Sequence, residues 1–461
     1  MLENKPETKS DKFLFLSFGA LLLLLSLVLA QSYLPQVAIA AIVVALIGIF
    51  YIKPQVGMYL AALFLPASEW LFSINNLSAA IIEFLFLLVL FSYALKLLDP
   101  QKLKTVRWPV FGAFLLFFLA AILSSLFSDN IITSLWFSIR WFLFLYLAYI
   151  FLPFNLINNS KVLRRVIIFL STAGFLVAVM GLLSLFQQNW SSSFFRVKPL
   201  AVFGIYVIGD NHNALAEILV ITSFLVLSLK YWFTGLRIGR ILDLIFLFLV
   251  LIALGTLART AWLTVFLQIT FYFGYDFFFI KKKRLDFKYV LIGLIFLLII
   301  SLPLINRMLS LQEANTGSTA SRLLLTQISV QAFLEHPFVG HGPGTFIDLV
   351  DSNIRFRANF GDPLDSHGLG QKILAELGSL GVVTFAIFCF FIFWKFWKAL
   401  QKYPSQAKLL LPLITSSLGI FFYQFFSTSY FKGRVWFPIA LTLVAIRLIE
   451  EKYEQHRQSK N

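Results

Sequence analysis

The sequence predicts an all-α, polytopic integral membrane protein with about 12–14 transmembrane helices. Hydrophobic residues make up 59% of the chain and charged residues only 13%, whereas about a quarter of a soluble domain is charged. Apolar runs of about 17–25 residues recur from end to end, and a helix of this length crosses about 30 Å of hydrocarbon. Basic residues collect in alternate connectors between these runs, as in membrane proteins with a defined orientation.

The apolar runs define the individual spans. The first run follows a mixed-charge start and lacks a small-residue cleavage site, so we interpret it as a first helix rather than a removed signal peptide. The third run contains Pro66 and Glu69, which leaves a re-entrant segment as the alternative to a full span there. The candidate spans are 13–30, 36–52, 55–71, 77–98, 108–127, 132–153, 164–186, 211–231, 241–258, 260–280, 287–306, 370–394, 407–427 and 431–448.

The net charge of +16 is explained by topology rather than by nucleic-acid binding. When alternate connectors are assigned to opposite sides, one side collects about 27 of the 38 basic residues. The positive-inside rule makes that side the cytoplasm and places both termini there. We therefore predict a multi-pass protein of the lipid bilayer that has no nucleic-acid partner.

This arrangement divides the chain into three regions. Residues 1–306 hold about eleven N-terminal transmembrane helices, and residues 307–369 form a polar extracytoplasmic loop with short surface helices. Residues 370–461 hold the C-terminal transmembrane helices and a cytoplasmic tail.

The extracytoplasmic loop itself predicts a helix over residues 318–335, which begins at a Ser/Thr cap and ends before Pro337. We expect this helix to lie on the membrane surface, with Arg322 and Gln327 on its polar side. Its partial apolar stripe consists of Leu324, Ile328 and Phe333, with Leu323 and Leu325 alongside.

Arginines on the outer face are the first candidates for substrate-binding residues. Arg259 lies between two apolar helices with almost no connector, and Arg140 lies several residues inside the sixth span. An arginine inside a bilayer is costly unless it faces a cavity or a partner, so we expect both to face the bundle interior. Arg196 and Arg322 lie in outer connectors. Because guanidinium groups match phosphate oxygens, these arginines predict a site for a lipid-linked phosphate or pyrophosphate.

A histidine is the candidate base. His367 stands just before the span that begins at residue 370. The positive end of a helix dipole favours the neutral imidazole, which can accept a proton from an attacking hydroxyl. The simpler alternative is that His367 caps the helix.

Simpler structural roles are open for two arginines as well. Arg259 would snorkel to the interface or interact with a helix end. Arg140 would pair with Glu83, Glu217 or Glu376 and hold helices together.

No metal or cofactor is predicted. His336 and His341 occur in a Gly/Pro-rich loop, but no carboxylate cluster or third ligand stands at a recognisable spacing. The glycines around His341 lack the strand and helix of a phosphate-binding loop and predict a tight turn instead. The single cysteine, Cys389, lies in an apolar run, which excludes disulfides and cysteine metal sites.

Several short motifs follow one another in a fixed order between residues 190 and 385. They are Arg196 with Phe203-Gly204, Asn211-His212-Asn213-Ala214-Leu215-Ala216, Leu257-Ala258-Arg259-Thr260-Ala261-Trp262, Ser321-Arg322, Gln331, Pro337-Phe338-Val339-Gly340-His341-Gly342-Pro343-Gly344-Thr345-Phe346, His367, and Leu374-Ala375-Glu376-Leu377-Gly378-Ser379-Leu380-Gly381. Their order, spacing and common outer face resemble the O-antigen ligase and O-antigen polymerase superfamily. The family's usual Asn after the histidine is Gly368 here, and its usual Ser before the junction arginine is Ala258.

The resemblance implies a metal-independent, inverting glycosyltransferase on the outer face of a bacterial plasma (inner) membrane. Its donor would be a polyprenyl-pyrophosphate-linked glycan. The resemblance implies that Arg259 and Arg196 bind the pyrophosphate and stabilise the leaving group. It also implies that His367 orients or deprotonates the acceptor hydroxyl. The further candidates for substrate binding are Arg322, Arg140 and Asn213.

The acceptor is left open between three classes. A ligase passes the glycan to lipid A-core or another surface lipid, a polymerase to a second lipid-linked repeat, and a protein O-oligosaccharyltransferase to Ser or Thr. The spacing from His367 to the Glu-x-Gly motif favours the ligase. The alternative of another class is a transporter or flippase for an anionic solute. Transporters bind near the midplane at broken helices, however, whereas these groups cluster at the outer edge.

Overall fold

The computed structural model describes residues 35–67, 71–74, 77–188, 195–201, 206–275, 278–279, 316–427 and 431–459. The predicted spans 13–30 and 287–306, and the predicted boundary at residue 307, lie outside these residues. The helices before the outer loop are α1 (Pro35–Ile52), α2 (Pro54–Phe64), α3 (Ile81–Leu97), α4 (Pro100–Leu103), α5 (Phe111–Leu126), α6 (Ile131–Leu156, π-helical over Trp141–Phe151), α7 (Ser160–Leu183), α8 (His212–Ser228), α9 (Leu236–Gly255) and α10 (Arg259–Tyr275). The helices of the outer loop and the C-terminal part are α11 (Thr316–Glu335), α12 (Phe346–Asp351), α13 (Ile354–Phe360), α14 (Leu369–Lys402), α15 (Ala407–Tyr423) and α16 (Gly433–Gln458).

The prediction of an all-α, polytopic membrane protein is confirmed. Among the described residues, six helices are long and apolar enough to cross a membrane. They are α6, α7, α8, α9, α14 and α15, some with a short 3₁₀ extension. The helices α3, α5, α10 and α16 coincide with further predicted spans but are shorter or carry more charge. The total of about 12–14 spans stays a prediction.

The third predicted span is not a separate membrane-length helix. The second and third predicted spans form a bent pair, Ala41–Ile52 and Pro54–Ala67, with an angle of 117° between them. Beyond this pair the chain enters a short antiparallel hairpin of β1 (Leu71–Ile74) and β2 (Leu77–Ala80). From the sequence, a re-entrant segment is an alternative to a full span at residues 55–71, because the proline there cannot donate a helical hydrogen bond.

The basic connectors meet at one end of the bundle, which we call the basic end. Arg107, in the connector after α3, forms an ion pair with Glu451 near the end of α16. Tyr231, after α8, donates a hydrogen bond of 2.8 Å to Gln406, before α15. These contacts agree with the predicted grouping of connectors. The identity of this end as the cytoplasmic one stays a prediction.

The centre of the bundle is formed by helices that are buried on all sides. Residues 215–228 of α8 and 433–447 of α16 are all buried. A helix without a polar face is stable only where other helices surround it, and α8 packs against α7, α9 and α15.

Helix α14 is broken near its outer end. Its 34 residues would measure about 51 Å at 1.5 Å per residue, well beyond the bilayer core. Gly378 has φ 60° and ψ −159°, which interrupts the helix. The part after it, residues 379–402, is about 36 Å long and suffices to cross the membrane. Residues 369–377 therefore form a separate outer segment.

The glycine-rich loop fills this break. Gly342 N donates 2.8 Å to Glu376 O and His341 N donates 3.1 Å to Ala375 O, while Ser379 N donates 2.8 Å to Pro337 O. These bonds satisfy backbone groups that the break would leave without partners. The predicted tight turn is confirmed, because Gly340, Gly342 and Gly344 all have positive φ.

The predicted loop helix is confirmed as α11, with one difference in how it is buried. Leu325, Ile328 and Ala332 are buried against α12, α13 and Ala375. Part of the stripe that we expected to face the membrane therefore forms a small protein core.

Candidate active site

Five basic side chains gather at the end of the bundle opposite the basic end. The guanidinium of Arg322 lies within electrostatic range of Arg259. It also lies within electrostatic range of the imidazoles of His212 and His367. Arg196 lies within electrostatic range of His212 as well. The structure thus brings together four of the six predicted site residues and adds His212. We call these five residues the outer cationic cluster.

Arg322 lies at the centre of this cluster, and it is less exposed than a residue on the polar side of a surface helix would be. The residue is half-buried, and its Nε atom is buried without a hydrogen-bond partner among the described residues. Burial, and then the charge of Arg259, lower the pKa of Arg322. A guanidinium nevertheless stays protonated in proteins. A buried donor without a partner requires an explanation, and an anion held between the arginines would provide one.

Arg196 is held in place by its backbone. Its carbonyl accepts a hydrogen bond of 2.8 Å from Gln188 Nε2. The next residue, Val197, donates 2.9 Å to Gly255 O at the end of α9. A Cβ at Gly255 would lie 3.0 Å from the Val197 side chain, so this glycine permits the close approach. Burial lowers the pKa of Arg196.

Arg259 begins α10 immediately after a strained junction. Leu257 has φ 56°, a left-handed conformation that costs a non-glycine residue about 1–2 kcal/mol. The indole of Trp262 donates 2.9 Å to Leu254 O, which ties α10 back to α9. The side chain of Arg259 is exposed at this end of the bundle. Because Val197 donates its backbone hydrogen bond to Gly255, the segment that carries Arg196 is tied to the end of α9, four residues before Arg259.

His367 is linked to α11, the helix that carries Arg322. The amide of His367 donates 3.1 Å to Gln371 Oε1. Gln371 Nε2 donates 2.6 Å to Thr326 Oγ1, and Ser329 Oγ donates 2.7 Å to Gln371 O. One glutamine therefore links the backbone of His367 to the helix that carries Arg322.

The surroundings of His367 favour its neutral form. Burial lowers the pKa of His367 below its ordinary value of 6.5, Arg322 lowers it further, and Asp365 partly offsets both. At neutral pH the imidazole is therefore unprotonated, and it can accept a proton.

A buried ion pair anchors the segment that carries His367. Lys372 Nζ lies 2.8 Å from both carboxylate oxygens of Asp365, and the lysine is buried. Asp365 stands two residues before His367 and Lys372 lies in the first turn of α14. The pair thus clamps the turn against the helix.

Gly368, a departure from the family's usual Asn, has a steric reason in this chain. A Cβ at this position would lie 2.6 Å from Phe425 O. Phe425 belongs to the 3₁₀ turn Gln424–Phe426 after α15. The glycine therefore allows that turn to pack directly against the residue that follows His367.

Arg140 does not join the outer cationic cluster. Its Nη2 atom lies 2.8 and 3.0 Å from the carboxylate oxygens of Glu83, one of the partners that the sequence analysis named. Both line a small pocket of about 20 Å³ with Lys372 and Phe431, room for about one water molecule.

Asn213 lies beside the cluster, immediately after His212 in α8. Its backbone carbonyl accepts a hydrogen bond of 2.9 Å from Tyr423 Oη. Its side chain is half-buried. The backbone of the asparagine is thus positioned by the last residue of α15.

Sequence reasoning missed a buried ion pair beneath the cluster. Arg434 Nε lies 3.0 Å from Glu217 Oε2, and the two side chains are 4% and 1% exposed. Gln424 Nε2 also donates 2.8 Å to Glu217 Oε1. An arginine near the start of an apolar span was the available signal, since such a residue needs an intramembrane partner.

His212 was also missed as a site residue. It was quoted only as part of a motif, because nothing in its sequence neighbourhood brings it near Arg322.

The described residues contain no group of three or more His, Cys, Asp or Glu that could hold a metal ion. Independence from metals stays a prediction.

Comparison with known proteins identifies the domain that carries most of these residues. Residues 244–386 match the family described as O-antigen ligase. This region contains Arg259, Arg322 and His367, whereas Arg196 and Asn213 lie upstream of it. A search of curated proteins finds no match to the chain. The resemblance to the O-antigen ligase superfamily is confirmed over residues 244–386, the part of the chain that matches the O-antigen ligase family.

Proposed function

We propose that the protein transfers a glycan from a polyprenyl-pyrophosphate carrier to a hydroxyl acceptor, such as lipid A-core, on the outer face of the bacterial inner membrane. The observation that carries this proposal is the outer cationic cluster, in which Arg259 and the neutral imidazole of His367, from separate segments of the chain, both lie within electrostatic range of Arg322.

The arginines of the cluster bind the diphosphate of the donor. Arg196, Arg259 and Arg322 present planar donors that suit phosphate oxygens. Arg322 Nε, buried without a partner, is available to one of these oxygens. As the bond from the anomeric carbon to the phosphate oxygen breaks, that oxygen keeps the electron pair, and the guanidinium groups stabilise its charge. The reaction therefore requires no metal ion in this scheme.

His367 activates the acceptor. Its neutral imidazole takes the proton of the acceptor hydroxyl while the hydroxyl oxygen attacks the anomeric carbon. The new glycosidic bond forms on the face opposite the departing diphosphate, so the configuration at this carbon inverts. The proton remains on His367 until the polyprenyl pyrophosphate leaves.

Two predicted substrate contacts are weaker parts of the proposal. Asn213 lies next to His212 and is a candidate ligand of the glycan or phosphate. Arg140 is engaged by Glu83, which supports a structural role as much as substrate binding. If Arg140 binds substrate, Arg140→Met will raise the donor KM, and Glu83→Gln will not.

The test is transfer by purified protein in nanodiscs, with polyprenyl-pyrophosphate glycan as donor. Lipid A-core, a second lipid-linked repeat and a Ser/Thr peptide serve as alternative acceptors, and mass spectrometry identifies the product. We expect transfer to the glycolipid, which supports the ligase over the polymerase and the protein oligosaccharyltransferase. Chelator should leave the rate unchanged.

Variants then test the assigned residues. We expect His367→Ala and Arg259→Ala each to lower kcat by about 10²-fold or more, as for the removal of a charge-stabilising group. The control is Arg355→Ala, because Arg355 is an exposed arginine on the same outer loop. Full activity of either site variant removes its assigned role. Movement of an anionic solute without any glycan transfer would instead favour the transporter alternative.

A further inference from the structure

Helix α11 has a second apolar face that the outer-loop core does not cover. Leu323, Val330 and Leu334 are 62%, 44% and 70% exposed, and Phe338, just after the helix, is 77% exposed. The spacings of seven, four and four residues place the three helical side chains on one side of α11, and Phe338 continues the row. We call these four residues the outer stripe.

The outer stripe begins where the lipid-facing surface of α14 begins. Leu380 N donates 3.1 Å to Phe338 O, so Phe338 lies at the depth of Leu380. Val382 and Val383, the next turn of α14, are 39% and 55% exposed. In a helix long and apolar enough to cross a membrane, such exposed valines face hydrocarbon.

A neighbouring helix supports the same depth. Ser124 Oγ, near the outer end of α5, donates 2.8 Å to Glu376 O. On that part of α5, Leu123 and Leu126 are 41% and 54% exposed. Apolar side chains therefore face outward on both helices at the level where the outer stripe starts.

We propose that α11 is an interfacial helix whose outer stripe lies in the outer leaflet of the bilayer. The occupant is lipid rather than another protein, because the stripe continues the lipid-facing surfaces of α14 and α5. The exposed Gln327 and Gln331 lie beside the stripe, and their amides suit the headgroup region. Helices of this kind lie about 5–10 Å into the boundary between headgroups and acyl chains.

The placement has a consequence that rests on the proposed function. Arg322 is the residue before Leu323, and its guanidinium lies on the inner side of the same helix. Immersion of the stripe would hold this guanidinium at headgroup level. A diphosphate on a lipid anchor would then reach the cluster without leaving the membrane.

The test measures immersion directly and requires no enzymatic activity. Leu334→Cys is labelled with an environment-sensitive fluorophore in nanodiscs, and lipids with a nitroxide near the headgroup are added as quencher. The only natural cysteine, Cys389, is buried, so unsubstituted protein gives the labelling background. The control is Asp348→Cys, which is exposed on α12 of the same loop.

We expect strong quenching and a blue-shifted emission for the label at position 334, and neither for the label at 348. Val330→Cys is the second reporter if Leu334→Cys does not fold, and we expect the same result. Equal quenching at positions 334 and 348 overturns the proposal. So does efficient disulfide crosslinking of Leu334→Cys between two copies, because a second protomer would then cover the stripe. Because no glycan is involved, failure here is separate from failure of glycan transfer.

Discussion

At the residue scale, the chemistry depends on the imidazole of His367 and the guanidinium of Arg322 near it. Burial and Arg322 both stabilise neutral His367, and Asp365 acts in the opposite direction. A bound diphosphate would offset the arginine charges and make the imidazole more basic. The base would therefore be strongest when the donor is present.

The pH dependence of transfer tests this arrangement. The active form of His367 is the unprotonated one, and its pKa lies below 6.5. We expect the rate to be constant near neutral pH and to fall only as the pH drops through that lowered pKa. In Arg322→Gln the neighbouring positive charge is gone, so the pKa rises and the acid limb moves to higher pH. The measurement is kcat/KM against pH.

The opposite shift provides the internal comparison. Asp365→Asn removes the charge that raises the pKa of His367, so its acid limb should move to lower pH. Arg355→Gln, on the same loop, should leave the limb in place. An acid limb that is identical in all three variants would exclude His367 as the titrating base.

At the scale of elements, the site depends on the break in α14. The outer segment before Gly378 carries the start of the helix next to His367, and the part after it crosses the membrane. Glu376, which the sequence analysis named as a possible partner of Arg140, is fully buried and accepts a hydrogen bond from Phe346 N at 3.2 Å. Its role in the described structure is to hold the glycine-rich loop against the break.

Gly340→Ala tests this docking. Gly340 has φ 67°, and a Cβ there would lie 2.4 Å from the Glu376 carbonyl carbon. The left-handed conformation alone costs about 1–2 kcal/mol, and the backbone contact cannot be relieved by a rotamer change. We expect the loop to lose its position, with a lower melting temperature and greatly reduced transfer.

The matched control for this variant is Gly370→Ala. Gly370 lies in the first turn of α14, and a Cβ there meets nothing within 4 Å. Alanine is also the better helix former, so this variant should keep full activity and stability. Equal behaviour of the two variants would show that the loop does not need the close approach at Gly340.

At the scale of the whole molecule, the two ends of the bundle have different compositions. The basic end collects the connectors near Arg107, Tyr231 and Gln406, and the opposite end holds the outer cationic cluster. If the positive-inside rule applies, the cluster faces away from the cytoplasm.

Cysteine labelling in intact cells tests this orientation. A membrane-impermeant maleimide should label Asp348→Cys in intact spheroplasts. It should label Arg237→Cys, exposed at the start of α9, only after permeabilisation. The buried Cys389 keeps the background low. Labelling of both positions from the same side would contradict the proposed topology.

Much of this arrangement follows from local patterns in the sequence. Spans of about 20 apolar residues, alternate basic connectors and a polar loop with a helix over residues 318–335 are all properties of contiguous stretches. The candidate residues Arg196, Arg259, Arg322 and His367 were recognised from short motifs. The bent pair before residue 71 was anticipated only as an alternative, because a proline shows where a helix ends but not the direction of the chain beyond it.

The sequence by itself determined the class of protein, the grouping of its connectors and the residue types of the site, because each depends on composition or local spacing. Only the tertiary structure decided which residues meet. It assigned Arg140 to Glu83, paired Arg434 with Glu217, added His212 to the cluster and turned Arg322 inward. These outcomes depend on the packing of helices that are distant in sequence. Hydrophobic periodicity indicates which face of a helix is buried, but it does not indicate which other helix packs against that face.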